Sequence, residues 1–162
     1  MSFLRNPRYL IIIGLTALIL VIAVYAVLVD TSGSVASPVP STFTVNGRTY
    51  AFTYTATDNA QRAAGLMNRR VTNTTTMLFA FPSMGVYQFW MYDTNTSLDM
   101  IWINATGNTG RVVFVYAGAP PCNSQISCPT YGPSLPANYV IEARAGFAEA
   151  NGMAVGTQIQ FG

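Results

Sequence analysis

From Tyr9 to Val29 the chain runs YLIIIGLTALILVIAVYAVLV, twenty-one residues without a charge, and a run of that length and character is a candidate transmembrane helix. At about 1.5 Å per residue a helix over it reaches across the roughly 30 Å hydrocarbon core. Lipid offers the backbone no hydrogen-bond partners, so a single spanning segment has to be helical. Arg5 and Arg8 precede the run and only Asp30 closes it. The positive-inside rule therefore puts residues 1–8 in the cytoplasm and everything beyond 29 outside the cell membrane. The rival reading is a cleaved signal peptide, since Ser34-Val35-Ala36 is a small-x-small site. Its apolar core, however, would exceed the usual length of about 7–15 residues. Residues 30–42 carry Pro38 and Pro40 among serines and threonines and read as an extended linker.

After residue 42 the pattern changes to short apolar runs cut by turn residues. Asn46-Gly47 separates Phe43–Val45 from Arg48–Thr55, and Asn-Gly between alternating runs is a strong hairpin signal. Asp58 is placed to cap a helix over 59–67, with Gly65 an awkward residue inside it. Met77–Phe81, Val86–Met91, Met100–Ile103, Arg111–Tyr116, Tyr139–Ala143 and Gln158–Phe161 read as strands, with Pro82–Gly85 as a turn. A further helical turn is expected near 147–151. Residues 43–162 are thus expected to form one mainly β domain, a small antiparallel barrel or sandwich with one or two short helices.

The charged residues narrow the chemistry. All eight basic residues are arginine, and beyond residue 29 six of them face six acids. A domain so balanced lacks the basic footprint of a nucleic-acid binder. There is no histidine and no lysine, which removes imidazole bases, histidine metal sites and Schiff-base chemistry; no metal or cofactor is expected. Cys122 and Cys128 share a proline-rich loop. Outside the membrane they read as a disulfide, and a redox pair is the alternative, though the CxxC spacing is lacking. Asn73, Asn95 and Asn104 each open an N-glycosylation tripeptide.

Several motifs then fall in a recognisable order. They are Gly65-Leu66-Met67-Asn68-Arg69, Met77–Phe81, Phe89-Trp90-Met91, Thr94 with Leu98-Asp99-Met100-Ile101, Pro120-Pro121-Cys122, Cys128-Pro129-Thr130-Tyr131-Gly132 and Tyr139-Val140-Ile141-Glu142, followed by Gly146, Gly152 and Gly156. In this combination the sequence resembles the DUF192 (UPF0127) family over residues 43–162. The resemblance implies a compact, mainly β domain, often secreted or anchored, and no established activity. The family usually has Lys-Asn-Thr where this chain has Tyr92-Asp93-Thr94, and proline where it has Ser97.

Three functional readings compete. A binding or structural module outside the membrane would use Trp90, Tyr92, Tyr87 and Tyr131 as an aromatic platform, with Asp93 beside it, for a protein or carbohydrate ligand. The plainer view makes Trp90 and Trp102 core residues. A carboxylate-dependent hydrolase, with carbohydrate as its candidate substrate, would rest on Asp99 with Asp93, and on Arg69 to position an anionic group. The plainer view has Asp99 accepting backbone N–H groups or pairing with Arg69. Assembly through exposed strand edges is the third. The informative quantity is the relative placement of Asp93, Asp99 and Arg69.

Overall fold

The computed structural model describes residues 38–162 and, in a separate unit before Ser37, Leu18, Ile19 and Val21, which are helical and exposed. The segment 1–8 expected in the cytoplasm, the rest of the anchor expected over 9–29 and most of the linker expected over 30–42 lie outside the described residues. Among the described residues no helix is long and apolar enough to cross a membrane.

The domain begins with the expected hairpin. Asn46 and Gly47 both take positive φ, 48° and 79°, as a tight two-residue connection requires. They set β1 (Thr42–Val45) against β2 (Arg48–Ala51), with Val45 opposite Arg48. The second strand stops earlier than expected, and β3 (Tyr54–Ala56) starts after only Phe52 and Thr53. Next come α1 (Asn59–Ala64), β4 (Thr76–Gly85), β5 (Phe89–Trp90), β6 (Leu98–Thr106), β7 (Thr109–Ala119), β8 (Thr130–Tyr131), β9 (Ala137–Arg144), α2 (Phe147–Ala150) and β10 (Gln158–Phe161).

Eight strands form one sheet in the order β2-β1-β10-β7-β6-β9-β4-β3, while β5 and β8 pair separately. Strands β2 and β3 are its two edges. In a flat sheet, seven gaps of about 4.8 Å would hold them roughly 34 Å apart. The two residues joining them span about 11 Å at most. The sheet must therefore curl, and it does so into a half-barrel. Across the seam the Thr76 hydroxyl donates to the Ala51 carbonyl at 2.8 Å, and the Thr53 N–H donates to the Thr76 carbonyl at 2.8 Å. The architecture is mainly β with two short helices, as expected. It is neither a two-sheet sandwich nor wholly antiparallel, because β3 runs parallel to β4.

Both faces of the sheet are covered. Phe43, Val45, Leu78, Ile101, Ile141 and Ile159 belong to one core, against which Ala148 of α2 packs. Leu66, Met77, Met91, Met100, Trp102 and Val140 belong to the other. The central strands β6 and β9 are consequently buried on both sides, which is why they read in sequence as continuous apolar runs rather than alternating ones. Both cores are built within residues 38–162, so this segment has the makings of an independent folding unit.

Candidate functional site

A narrow cleft opens on the second of these faces, between the end of α1 and the segment from β5 to Thr94. Its first wall is set by α1. Asp58 caps that helix by accepting the Gln61 N–H at 2.8 Å, and Gln61 Oε1 reaches back to the Asp58 N–H at 3.4 Å, forming a capping box. The helix ends three residues before its expected limit, because Gly65 adopts φ 46°, a left-handed value that glycine takes at little cost. The chain then turns so that Leu66 is buried and the Asn68 N–H reaches the Asp93 carbonyl at 2.8 Å.

Phe89, Trp90, Tyr92 and Thr94 make the opposite wall. Phe89 points inward, edge-on to Phe79 at 4.8 Å and to Trp102 at 5.6 Å. Trp90 points outward on the alternate side of β5, is 37% exposed, and lies 5.3 Å from Tyr92. Of the two tryptophans, Trp102 is a core residue, its indole N–H held by the Tyr87 carbonyl at 2.9 Å. Trp90 is a surface residue at the cleft's rim.

Glu142 lines the same cleft from β9, where its neighbours across the sheet are Met77 and Met100. It is only 4% exposed. Burial alone pushes its carboxyl up from 4.5 to about 8, because the apolar surroundings penalise the charged form. Among the described residues no fully enclosed side-chain oxygen or nitrogen lacks a partner, and Glu142 has no protein partner there, so its oxygens open to the cleft. Arg62, at the cleft's edge, does not neutralise it. Its guanidinium donates to the Thr57 and Ala80 carbonyls and to Asn59 Oδ1, each at 2.8 Å, and stacks over Phe81. The cavity volume is about 20 Å³, room for little more than one water molecule. A neutral carboxyl at the bottom of such a slot can both donate and accept a hydrogen bond.

The residues singled out from the sequence are dispersed. Asp99 is 1% exposed on β6. Its two oxygens accept the Gly118 and Ala148 N–H groups, each at 2.9 Å. It thereby reaches the first turn of α2, whose own N-cap, Gly146, has no side chain to offer. Alternation along β6 turns Asp99 away from Met100 and the cleft. Arg69 lies over the Tyr54 ring at 4.2 Å and donates from Nε to the Gly65 carbonyl at 3.1 Å. Asp93 adopts φ 50°, and its N–H donates to the Cys122 carbonyl at 2.8 Å. Asparagine and aspartate tolerate this conformation best among non-glycine residues, which accounts for either residue standing there. The three groups do not form one site.

Of the proposed platform, Trp90 and Tyr92 stay together. Tyr131 is buried, pairs with Phe89 across β5 and β8, and packs on Tyr116. Tyr87 instead stacks on Phe81 and donates to the Ser83 carbonyl at 2.9 Å. Cys122 and Cys128 are disulfide-bonded, with Cα atoms 5.8 Å apart. Asn73, Asn95 and Asn104 are all exposed. Glu142 was not among the sequence candidates. Its signal was a single acid inside the run Tyr139-Val140-Ile141-Glu142-Ala143, and buried acids are rare unless something holds them.

The fold and cleft define a small curled β domain in which a buried carboxyl, unpartnered among the described residues, faces a slot. Residues 42–161 match the DUF192 family model, described as an uncharacterized ACR, and the chain belongs to that family. Two solved structures share the fold. One is a Sinorhizobium meliloti 1021 protein described as a candidate transcription regulator, 28% identical, with a TM-score of 0.62, covering 74% of this chain and 90% of that one. The other is a Novosphingobium aromaticivorans protein of unknown function, 27% identical, with a TM-score of 0.62, covering 75% of this chain and 84% of that one. No curated protein matches the chain.

Proposed function

We propose that this chain is a binding module held outside the cell membrane by an anchor over residues 9–29, and that it recognises carbohydrate at the Glu142 cleft. The observation that carries the reading is Glu142, a buried carboxyl without a protein partner among the described residues, opening onto a slot rimmed by Trp90 and Tyr92. A slot this narrow admits a hydroxyl group, not a ring. The ring would lie on the exposed indole, and the carboxyl would satisfy the inserted hydroxyl in both directions. Gly65, Leu66, Met67, Phe79, Phe89, Trp90, Thr94 and Glu142 all line the cleft, and all fall within the motifs that carry the family resemblance.

Binding fits this geometry better than hydrolysis. Glycoside hydrolysis of the common kind uses two carboxyls flanking the scissile bond, and among the described residues Glu142 is the single acid lining the cleft. Asp99, the residue on which a hydrolase reading rests, has both oxygens committed to backbone N–H groups. Nor does the near-neutral charge favour nucleic acid as the partner.

Titrating residues 38–162 with neutral oligosaccharides, while following tryptophan emission, tests the reading. Trp102 is shielded, so a saturable change reports Trp90. It should vanish in Trp90→Ala and weaken by about tenfold in Glu142→Ala. Turnover of an oligosaccharide that depends on Asp99 would replace binding with catalysis, and a Trp90 signal indifferent to every sugar would end the carbohydrate assignment.

A further inference from the structure

The opposite side of the domain carries a second, larger cavity of about 430 Å³, lined by Arg48 of β2, Arg144 at the end of β9, and the aromatic rings of Tyr50 and Phe147. It is separate from the Glu142 cleft, because Tyr50 and Phe147 pack on the core containing Ile141 while Glu142 faces Met77 and Met100. Its volume lies within the range typical of small-molecule sites, about 300–1,000 Å³. Among the described residues two guanidinium groups contribute to the lining and no aspartate or glutamate does. Glu149, on the same helical turn as Phe147, is not part of it. In a domain of nearly balanced charge, two arginines gathered without an acid leave a local positive field.

The walls are held in place before anything binds. The Tyr50 hydroxyl donates to Asn151 Oδ1, Asn151 Nδ2 donates to the Phe147 carbonyl at 2.9 Å, and Asn46 Nδ2 donates to the Asn151 carbonyl at 2.8 Å. Tyr50 and Phe147 meet edge-to-face at 5.1 Å. Among the described residues Arg144 is steadied by one side-chain bond, Nη1 to Asn73 Oδ1 at 2.7 Å. Arg48 is exposed and has no side-chain partner among the described residues. A guanidinium fork matches the geometry of carboxylate and phosphate oxygens.

We propose that this cavity is a second binding site, which takes a small molecule bearing a carboxylate or phosphate group: the arginines hold the oxyanion and the Tyr50–Phe147 rings pack on its body. Nitrogen-15 NMR of residues 38–162 tests it, with glucuronate, glucose 6-phosphate and glucose as probes. The expected result is saturable movement of the Arg48 and Arg144–Phe147 amide signals with one or both anions and none with glucose; whichever anion acts identifies the group. Arg48→Gln and Arg144→Gln should each weaken the response by about tenfold. Arg48 is exposed, so its variant should keep the wild-type melting temperature and preserves the test if Arg144→Gln folds poorly. Because the signals are read at this cavity, sugar binding at Trp90 is scored separately. No movement at millimolar anion, or movement that persists in both variants, overturns the site.

Discussion

Glu142 and Asp99 are both almost fully buried acids, yet their surroundings give them opposite roles. Burial holds the Glu142 carboxyl at about 8, against 4.5 for the free group. Between these values the folded protein keeps a proton that the unfolded chain releases, so the contribution to stability is complete below 4.5 and is lost as pH rises to about 8. A tenfold change in proton affinity corresponds to about 1.4 kcal/mol, so the loss is on the order of a few kcal/mol. The chain has no histidine and its two cysteines are bridged, which leaves the window unusually clear of other side chains. Thermal melts of Glu142→Gln should lack this decline and exceed wild type in stability above about pH 8; an unchanged slope would assign the titration to another group. Asp99, by contrast, gives both oxygens to backbone donors. Asp99→Asn leaves one of those N–H groups facing an amide nitrogen, at a cost of about 2–3 kcal/mol. Denaturant unfolding should register that loss while the proposed sugar binding at Trp90, on the other face, stays as in wild type. Loss of binding in a variant that remains stably folded would return Asp99 to the site.

Local elements were legible wherever the cause was local. The Asn46-Gly47 hairpin follows from two residues that accept positive φ, and the start of α1 follows from Asp58 with Gln61 three positions on. The run from Pro82 to Gly85 reads as a turn, yet β4 continues through it with a register shift against β9 between Ala80 and Gly85; pairing with a distant strand overrides the turn signal. The cleft was not legible because its walls come from α1, β4, β5 and β9, brought together only by the sheet. Trp90 and Phe89 are adjacent in sequence, and only the direction of β5 sends one outward and the other into the core. The disulfide loop illustrates how such parts are joined. The Cys122 backbone pairs with those of Tyr92 and Thr94, and its carbonyl accepts the Asp93 N–H, so the loop fastens the rim of the cleft. Closing a ring with a sequence separation of 6 stabilises by roughly 2 kcal/mol on the chain-entropy view. Cys122→Ala/Cys128→Ala should therefore melt roughly 5–10 °C lower and weaken the response of Trp90 to sugar. A lower melting point with undiminished binding would show that the loop supports the fold without shaping the rim.

At the level of the whole domain, the curl of the sheet is forced by connectivity. The strands at its two edges, β2 and β3, are joined by Phe52 and Thr53 alone, so that corner is where the curl closes. Thr76 fastens it from β4. It is 1% exposed, donates its hydroxyl to the Ala51 carbonyl, and accepts the Thr53 N–H at its own carbonyl. Thr53 Oγ1 in turn accepts the Thr76 N–H at 3.3 Å. Thr76→Val keeps the shape of the side chain but removes the donor, leaving the Ala51 carbonyl short of a partner in a partly buried place; the cost is about 1–2 kcal/mol. Its distribution is more informative than its size. Amides protected only by the seam should open locally, whereas those in β6 and β9 exchange through larger openings of the sheet. Hydrogen exchange should thus accelerate first at Phe52 and Thr53, whose N–H groups bond to Ser41 and Thr76, with little change at Ile101 or Ile141. Equal acceleration throughout would mean that the corner opens only when the whole domain does, and the curl would then be maintained by its two cores rather than by its seam.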